Sequence, residues 1–421
     1  MGTLSKKKIT SVSKAEGFEK REDSKICAHA LILSFMKMIA SGQNSYGAWA
    51  CQLAGVIESK ISKQAIFYRM TEAWVSTVKA LVAVVIGKQA IKQVKRALFS
   101  GFKNVWIQDS TCVQLPQALI QKFTGSIVNG KQNSVAKLNV IVHALSGFCP
   151  LLKWDSYTVT EQSLSASIMG VAKKGDLVIR DLGYFVLRVF NKMDDEGISF
   201  LSRWKYKVTL YDIKTEQEIN LLERLQGKSY LDIQVLCGRE ERVNVRLVAI
   251  KLPADRAAER IRKARQDRNK RANHNEEYYA LLAYVIFITN VGEEIWNYKQ
   301  VAAAYRVRWN IEILFKSWKS GLRVEQMIPD AEKHTERVES ALYLMLLYIT
   351  WFQMLVYIPL RWDKEKRLSV IKAAKWMLAN ILRWIEGEIT AGMKKEILYY
   401  CSYDTRRRIN AIGRLELFFS G

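Results

Sequence analysis

Residues 305–319 read YRVRWNIEILFKSWK, and this segment says most about the fold and chemistry of the chain. Its spacing predicts one helix, and four polar residues share a narrow face of that helix at about 100° per residue. These residues are Tyr305, Arg308, Glu312 and Lys319. A second face is purely apolar and predicts packing against a core. It consists of Val307, Ile311, Leu314, Trp318 and Leu322. A carboxylate set among cations is the combination that metal-dependent phosphate chemistry requires.

The net charge indicates a polyanionic partner. The 421 residues suffice for two or three domains. They include 65 Lys and Arg against 41 Asp and Glu, which gives a formal charge of +24. A charge of this sign and size is typical of proteins that bind nucleic acid, and a basic but unspecialised surface is the alternative.

Other residue types exclude several classes of site. The six cysteines are scattered without a CxxC pair, and the four histidines do not cluster with them, so reduced thiols and no zinc site are expected. His143 lies in the apolar run LNVIVHAL and is interpreted as a hydrogen-bonded core histidine. Residues 340–360 carry no charge and are about as long as a membrane span. Their polar residues favour a buried core helix or a subunit contact over a membrane anchor.

The periodicity of apolar residues changes along the chain. Residues 1–100 are predicted to be helical, and 49–70 fit either a DNA-binding helix-turn-helix or an ordinary helical pair. From about residue 103, a β-β-β-α-β order begins, with its helix at 162–175, and this order predicts a mixed α/β sheet. Strand-like runs in 205–290 enclose a basic segment and predict an all-β insertion carrying a cationic helix or arm. Helical periodicity returns after about residue 330.

Three carboxylates lie at positions where a metal-binding site is expected. Asp109 closes the apolar run VWI and Asp181 closes LVIR, and strand ends are where sites assemble in α/β sheets. Glu312 adds a third carboxylate from a helix. Hard oxygen ligands without His or Cys suit Mg²⁺ or Mn²⁺, and two such ions would support an in-line phosphoryl displacement. The alternative is that each acid is an ordinary turn or surface residue. Asp155 and Asp176 also lie at strand edges, so spacing alone does not choose the pair.

Taken together, these motifs resemble those of the bacterial cut-and-paste DDE transposases of insertion sequences. The subgroup concerned has the signature Y-x2-R-x3-E-x6-K, which the segment 305–319 matches at every spacing. QDST at 108–111 and RDLGYF at 180–185 resemble the blocks that hold the family's two aspartates. FLSRW at 200–204 and FITN at 287–290 resemble two further family strands, the first carrying Arg203. The resemblance covers about residues 100–325.

The resemblance implies a ribonuclease-H-like catalytic domain in which Asp109, Asp181 and Glu312 bind Mg²⁺ or Mn²⁺, with two ions expected. It implies that cations and aromatic residues near this triad contact DNA. The residues expected to do so are Tyr305, Arg308, Lys319, Arg203 and Trp309, joined by Arg260, Arg262, Lys263 and Arg265 of the basic segment. Trp309 borders the polar face and either stacks on a base or packs, and packing is favoured.

The resemblance also implies an organisation and a set of partners. A helical DNA-binding region at 1–100 precedes a catalytic core at 101–204 and 291–328, which is interrupted by the insertion at 205–290. A helical region at 329–421 is expected to support dimerisation. The expected partners are double-stranded DNA, as element ends and target, and a second copy of the chain, in the bacterial cytoplasm at the nucleoid and not at a membrane.

Two alternatives to an active transposase remain. One is a transposase-derived DNA-binding protein without catalysis, although three acids facing phosphate are not needed for binding alone. The other is a ribonuclease-H-like nuclease that cuts without joining. Some members of the resembled family form a DNA hairpin and hold a flipped base with a tryptophan in the strand before the signature helix. Here that strand reads AYVIFITN and lacks a tryptophan, which argues against a hairpin route without deciding it.

Overall fold

A computed structural model gives the fold, and two compact units divide the chain. The structure describes residues 4–21, 24–89, 97–266, 275–323, 325, 328, 334–361, 363, 366–381, 383 and 390–403. We call the described residues of Val94–Asp109 and Thr160–Trp309 the strand-rich unit. Those of Met1–Gln93, Ser110–Val159 and Asn310–Asn410 form the helix-rich unit. The fold is mixed α/β with a large sheet, as the sequence predicts.

The strand-rich unit is built around consecutive sheet strands in the order β1-β5-β6-β10-β9-β8-β7. These strands are β1 (Val105–Leu115), β5 (Leu177–Arg180), β6 (Ser199–Arg203), β7 (Leu210–Asp212), β8 (Tyr230–Cys237), β9 (Val243–Lys251) and β10 (Tyr284–Thr289). The pairs β1–β5 and β5–β6 are parallel, and the other pairs are antiparallel. All four residues of β5 are buried, as expected for a central parallel strand covered on both faces.

Short helices surround these strands. They are α6 (Glu161–Leu164), α7 (Leu187–Asp195), α8 (Leu221–Leu225), α9 (Ala254–Arg265), α10 (Glu276–Leu281) and α11 (Tyr298–Arg306), with α12 (Trp309–Lys316) beginning at the unit boundary. Helix α11 starts at a capping box in which Asn297 and Gln300 satisfy each other's backbone N–H groups. Three of the helices lie within 205–290, and β7, β8 and β9 continue the sheet from β10. The prediction of an all-β insertion is therefore not confirmed.

The helix-rich unit combines a helical core with an antiparallel sheet. Its sheet contains β2 (Thr124–Val128), β3 (Lys131–His143) and β4 (Leu151–Ser156), with β3 in the middle. The helices before the sheet are α1 (Lys6–Ala15), α2 (Ala28–Ala40), α3 (Tyr46–Ile57), α4 (Lys63–Phe67) and α5 (Glu72–Lys88). Those that follow are α13 (Thr335–Phe352), α14 (Ile358–Leu360), α15 (Val370–Ala379) and α16 (Ala391–Tyr400).

Helix α13 packs on α5 and is buried on nearly all sides. Together with the π turn Gln353–Tyr357 and α14, it is long and apolar enough to cross a membrane. Within its most apolar window, 83% of the residues are buried inside the protein. This burial confirms the interpretation of 340–360 as a core helix.

Three local predictions need correction. The segment 305–319 is not one continuous helix, because α11 ends at Arg306 and α12 begins at Trp309 after a turn. Strand β1 continues to Leu115, so Asp109 lies within a strand and not at its end. The helix predicted at 162–175 is a single α turn followed by the 3-10 helix Ser165–Gly170.

The helix-turn-helix alternative for 49–70 is not supported by the lengths of its helices. Helix α3 ends at Ile57, where Glu58 adopts a left-handed conformation with φ of 52°. Ser62 caps α4 as predicted, accepting a hydrogen bond from the backbone of Ala65. Helix α4 then spans five residues. A recognition helix inserted in the major groove is longer than this, so the segment fits an ordinary helical pair better.

Candidate active site

Asp109 and Asp181 lie side by side on neighbouring strands. The parallel register places Gln108 of β1 opposite Arg180 of β5, so the residues that follow them are the two aspartates. Asp109 continues β1, whereas Asp181 leaves β5 and occupies the position before the 3-10 turn Leu182–Tyr184. The local sequence explains this arrangement, because both strands are apolar and buried up to Ile107 and Ile179, and one buried polar residue separates each apolar run from its carboxylate.

The guanidinium of Arg308 reaches both aspartates. Its Nη1 donates a hydrogen bond to Asp109 Oδ2 at 3.3 Å, and its Nε lies 3.7 Å from Asp181 Oδ1. The Arg308 and Asp109 side chains are 13% and 15% exposed, while that of Asp181 is 39% exposed. The pair is therefore partly shielded from water, which strengthens its attraction to cations.

Tyr305 completes this cluster from α11. Its hydroxyl lies 3.5 Å from Asp181 Oδ1, within reach of a weak hydrogen bond, and its ring packs on Phe287 of β10. Burial raises the pKa of Tyr305, and the neighbouring Asp181 carboxylate acts in the same direction. The side chain is accordingly a neutral phenol at neutral pH and serves as a hydrogen-bond donor. The break between α11 and α12 does not separate Tyr305 from Arg308, whose guanidinium lies 5.9 Å from the Tyr305 ring.

Glu312 and Lys319, the other members of the signature, belong to the helix-rich unit. Glu312 stands in the first turn of α12 and is half-buried. Lys319 Nζ donates to the carbonyl oxygen of Cys112 at 2.6 Å and lies 3.1 Å from Glu325. The apolar face of the same segment is buried, as predicted: Val307, Ile311, Leu314, Trp318 and Leu322 are each at most 2% exposed.

Trp309 does not pack into a core. Its side chain is 56% exposed, which is unusual for so large an apolar group. The prediction that packing is its favoured role is therefore wrong, and an aromatic surface remains beside Arg308. Arg203, at the end of β6, has a buried Nε without a hydrogen-bond partner among the described residues.

The basic segment forms helix α9, and its cations differ in role. Arg260 turns inward and donates to the carbonyl oxygen of Tyr284 at 2.9 Å. Lys263 pairs with Glu259 at 2.8 Å, and Arg265 lies 3.7 Å from Glu276. Arg262 is exposed. Three of the four predicted DNA contacts thus face solvent, whereas Arg260 supports the sheet. Residues 267–271 of the predicted segment lie outside the described residues.

The structure separates the aspartates that spacing could not rank. Asp176 is 1% exposed and accepts hydrogen bonds from Asn104, Trp106 and the backbone of Lys173. Asp155 pairs with Lys153 at 2.9 Å. Asp176 is therefore a structural residue and Asp155 has its own lysine, whereas Asp109 and Asp181 share one cation, the signature residue Arg308.

The chemistry of this pair fits a divalent cation. The Asp109 and Asp181 carboxylates lie 3.3 and 3.7 Å from two nitrogens of one guanidinium, and hard oxygen ligands are what Mg²⁺ and Mn²⁺ prefer. Across the described residues, no group of three or more His, Cys, Asp or Glu side chains is arranged to hold a metal ion. A third ligand is not identified by distance.

Sequence reasoning missed a polar network just beneath the aspartates. Arg180 is 0% exposed and donates to Gln108 Oε1 at 2.6 Å and to Ser165 Oγ at 2.8 Å. The available signal was an arginine at the end of the apolar run DLVIR, where a buried charge needs dedicated partners.

Comparison with known proteins identifies relatives of this chain. The protein family described as "Transposase DDE domain" matches residues 100–351. The transposase for insertion sequence element IS231F of Bacillus thuringiensis subsp. israelensis is 27% identical over 349 residues, covering 76% of this chain and 72% of the relative. The transposase for IS1151 of Clostridium perfringens is 26% identical over 344 residues, with the same coverage. A solved synaptic complex of piggyBac transposase with hairpin DNA has a TM-score of 0.45 and 9% identity, covering 95% of this chain and 83% of that one.

Proposed function

The chain belongs to the DDE transposase family, and on this premise we propose that Asp109 and Asp181, with Glu312, bind the divalent ions with which it cleaves and joins DNA. The observation that carries this assignment is the contact of the signature residue Arg308 with both aspartates. Glu312 joins the triad through its position in the Y-R-E-K spacing. Magnesium, in two ions, is the proposed occupant, and bound ions of this kind activate the attacking oxygen and stabilise the leaving one.

The remaining signature residues bind the DNA strand at the scissile phosphate. Arg308 offsets the negative charge of two aspartates that would otherwise repel phosphate, and its planar fork suits two phosphate oxygens. Lys319 acts as a point charge, and Tyr305 donates a hydrogen bond as a neutral phenol. Arg203 and Trp309 are proposed to contact the same DNA, Trp309 by stacking its exposed ring on a base.

We further propose a separate role for each region of the chain. The sheet of the catalytic core, 101–204 and 291–328, is ribonuclease-H-like, and 205–290 is a β-rich insertion whose helix α9 follows DNA phosphates. The region 1–100 recognises the ends of an insertion sequence, the type of element that the relatives are named for. The region 329–421 supports a homodimer that holds both ends and joins them to target DNA at the bacterial nucleoid.

A single substitution tests the catalytic assignment. Glu312→Gln keeps the size of the side chain but removes its charge and replaces one acceptor oxygen with an NH2 donor. We expect it to abolish Mg²⁺-dependent cleavage of DNA that carries the element ends, while binding of the same DNA stays within about twofold, because the phosphate contacts are intact. Cleavage is measured on labelled DNA, and binding by electrophoretic mobility shift.

The matched control is Glu325→Gln, which also removes a carboxylate close to Lys319 but lies outside the signature. This variant should cleave at nearly the wild-type rate. Cleavage by Glu312→Gln at the wild-type rate would contradict the triad. Wild-type protein that binds the ends without cutting them would favour a silent DNA-binding protein, and wild-type protein that cuts without joining would favour a simple nuclease.

A further inference from the structure

Arg180 is a completely buried cation in the strand that leads to Asp181. Its Nη2 donates to Gln108 Oε1 at 2.6 Å and to the carbonyl oxygen of Ser165. Its Nη1 donates to Ser165 Oγ at 2.8 Å and lies 3.4 Å from the carbonyl oxygen of Tyr184. Each of these partners is neutral, so no carboxylate among them compensates the charge.

Two of these partners are close to the aspartates in the sequence. Gln108 immediately precedes Asp109 and lies opposite Arg180 in the parallel register. Tyr184 ends the 3-10 turn that follows Asp181, and its carbonyl oxygen also accepts from Ser165 Oγ at 3.0 Å. One side chain therefore connects the end of β5, the neighbouring strand β1 and the turn after Asp181.

Gln108 of β1 extends this hydrogen-bond network. Gln108 Nε2 donates to the carbonyl oxygen of Leu164 at 3.0 Å and to Ser167 Oγ at 2.9 Å. Gln108 is itself 0% exposed, so its amide is oriented by three partners. Polar networks of this kind favour one geometry, because a rearrangement leaves buried groups without their bonds. One donor of this network, the buried Nε of Arg180, has no hydrogen-bond partner among the described residues.

Stability alone does not explain a charge at this position. Burial of a cation costs several kcal/mol, and an apolar side chain of similar volume is often neutral or stabilising in its place. The residue contributes what an apolar side chain lacks, a rigid fork of donors that fixes the strands it connects.

We propose that Arg180 is a positioning residue, which acts through Gln108 and the turn at Tyr184 to fix the separation of Asp109 and Asp181. The inference rests on the proposed role of these aspartates in binding divalent ions. Groups that orient metal ligands without touching the metal typically change metal affinity by about 10- to 100-fold when they are removed.

The test uses the full-length chain and Mn²⁺ alone as the probe. Arg180→Met removes the donors, Arg180→Lys keeps the charge without the fork, and Gln108→Met removes the acceptor at nearly constant shape. Mn²⁺ binding is titrated by electron paramagnetic resonance without DNA, alongside thermal unfolding. On DNA with element ends, kcat and KM are measured separately.

We expect all three variants to bind Mn²⁺ about tenfold or more weakly and to lose kcat with little change in KM. Raising the Mn²⁺ concentration should restore part of the rate. The control Arg246→Met removes another buried arginine of the strand-rich unit, one bound to Asp232 and to two carbonyl groups. It should lower the unfolding temperature without changing the Mn²⁺ affinity of the folded protein.

Wild-type Mn²⁺ affinity in folded Arg180→Lys and Gln108→Met would overturn the inference, even if Arg180→Met does not fold. Asp181→Asn separates this failure from failure of the proposed function. If Asp181→Asn weakens Mn²⁺ binding and the Arg180 and Gln108 variants do not, the positioning role alone is wrong. If Asp181→Asn also binds Mn²⁺ normally, the metal-binding role and the positioning role fail together.

Discussion

At the scale of residues, two arginines near the aspartates differ in whether their partners are charged or neutral. Arg308 lies between two carboxylates, whereas Arg180 has only neutral partners one residue before Asp181 in the chain. The first arrangement neutralises charge at a site that is partly shielded from water. The second holds charge inside the protein at a cost. This contrast separates a residue suited to meet phosphate from one suited to hold its neighbours in place.

His143 gives a pH-dependent prediction at the same scale. It is 3% exposed, and its Nδ1 accepts a hydrogen bond from the backbone N–H of Ser146 at 3.1 Å, which confirms a core histidine. Burial lowers the pKa of His143 to about 4, and Arg361 acts in the same direction. The unfolded chain therefore binds this proton from about pH 6.5 downward, whereas the folded protein binds it only near pH 4.

Stability due to His143 is thus complete above pH 6.5 and is lost as the pH falls toward 4, by about 3 kcal/mol in total. We expect His143→Asn to reduce the pH dependence of the unfolding free energy in this window, as measured by urea denaturation at several pH values. The control is His334→Gln, whose side chain is 42% exposed. Equal pH dependence in wild type and His143→Asn would contradict the prediction.

At the scale of elements, runs of apolar residues predicted the strands well where the whole strand is buried in the sheet. Strand β5 is an example, because its four residues are buried and its sequence is uniformly apolar before Arg180. The turn between α11 and α12 was not predictable from periodicity, because the buried face of Val307 and Ile311 continues across it. A helical wheel records only which residues share a face.

Other misses had local signals or depended on distant partners. Strand β2 and its hairpin to β3 turn at Asn129 and Gly130, both with positive φ, and this pair is a recognised hairpin signal. The position of Asp109 within β1 had no such signal, since the two residues directly after it, Ser110 and Thr111, are polar. The Asp109–Asp181 pair followed from strand ends and family motifs, but the contact of both with Arg308 required the fold.

The prediction at this scale concerns helix α9 and the salt dependence of DNA binding. If its exposed cations follow DNA phosphates, their removal should reduce the slope of log K against log salt by about 0.9 for each phosphate that the helix no longer neutralises. The variant changes Arg256, Arg262, Lys263 and Arg265 to Gln, and binding is measured by fluorescence anisotropy from low to moderate salt. The matched control changes four exposed lysines of the helix-rich unit: Lys366, Lys375, Lys394 and Lys395.

A reduced slope in the α9 variant together with a smaller change in the control would support a phosphate-binding helix. Glu259 reduces the expected change in slope, because it already pairs with Lys263 at 2.8 Å and lies 3.6 Å from Arg256 and so offsets part of their charge. The slope is therefore expected to change by less than the value for four phosphates. An unchanged slope would show that α9 is a solvated surface that does not follow DNA phosphates.

At the scale of the whole molecule, we propose two copies of the chain because an element has two ends. Each chain supplies one Asp109–Asp181 pair, whereas excision of an element requires cleavage at both of its ends. A closed pair of identical protomers meets this need by symmetry, because one surface then serves both ends. The high positive charge of +24 also favours assembly on DNA, which screens the repulsion between two such chains.

Mixing active and inactive protomers tests this assembly. Glu312→Gln and wild type are combined in equal amounts before DNA with two ends is added, and products cut at one or both ends are counted. If each protomer of a dimer cuts one end, about one quarter of complexes contain two active copies, so double cleavage falls to about that fraction and single cleavage rises. If any active protomer of a dimer can cut both ends in turn, about three quarters of complexes contain such a copy, so double cleavage falls only to about three quarters and single-end products do not accumulate. That outcome would contradict a division of the two cuts between two copies.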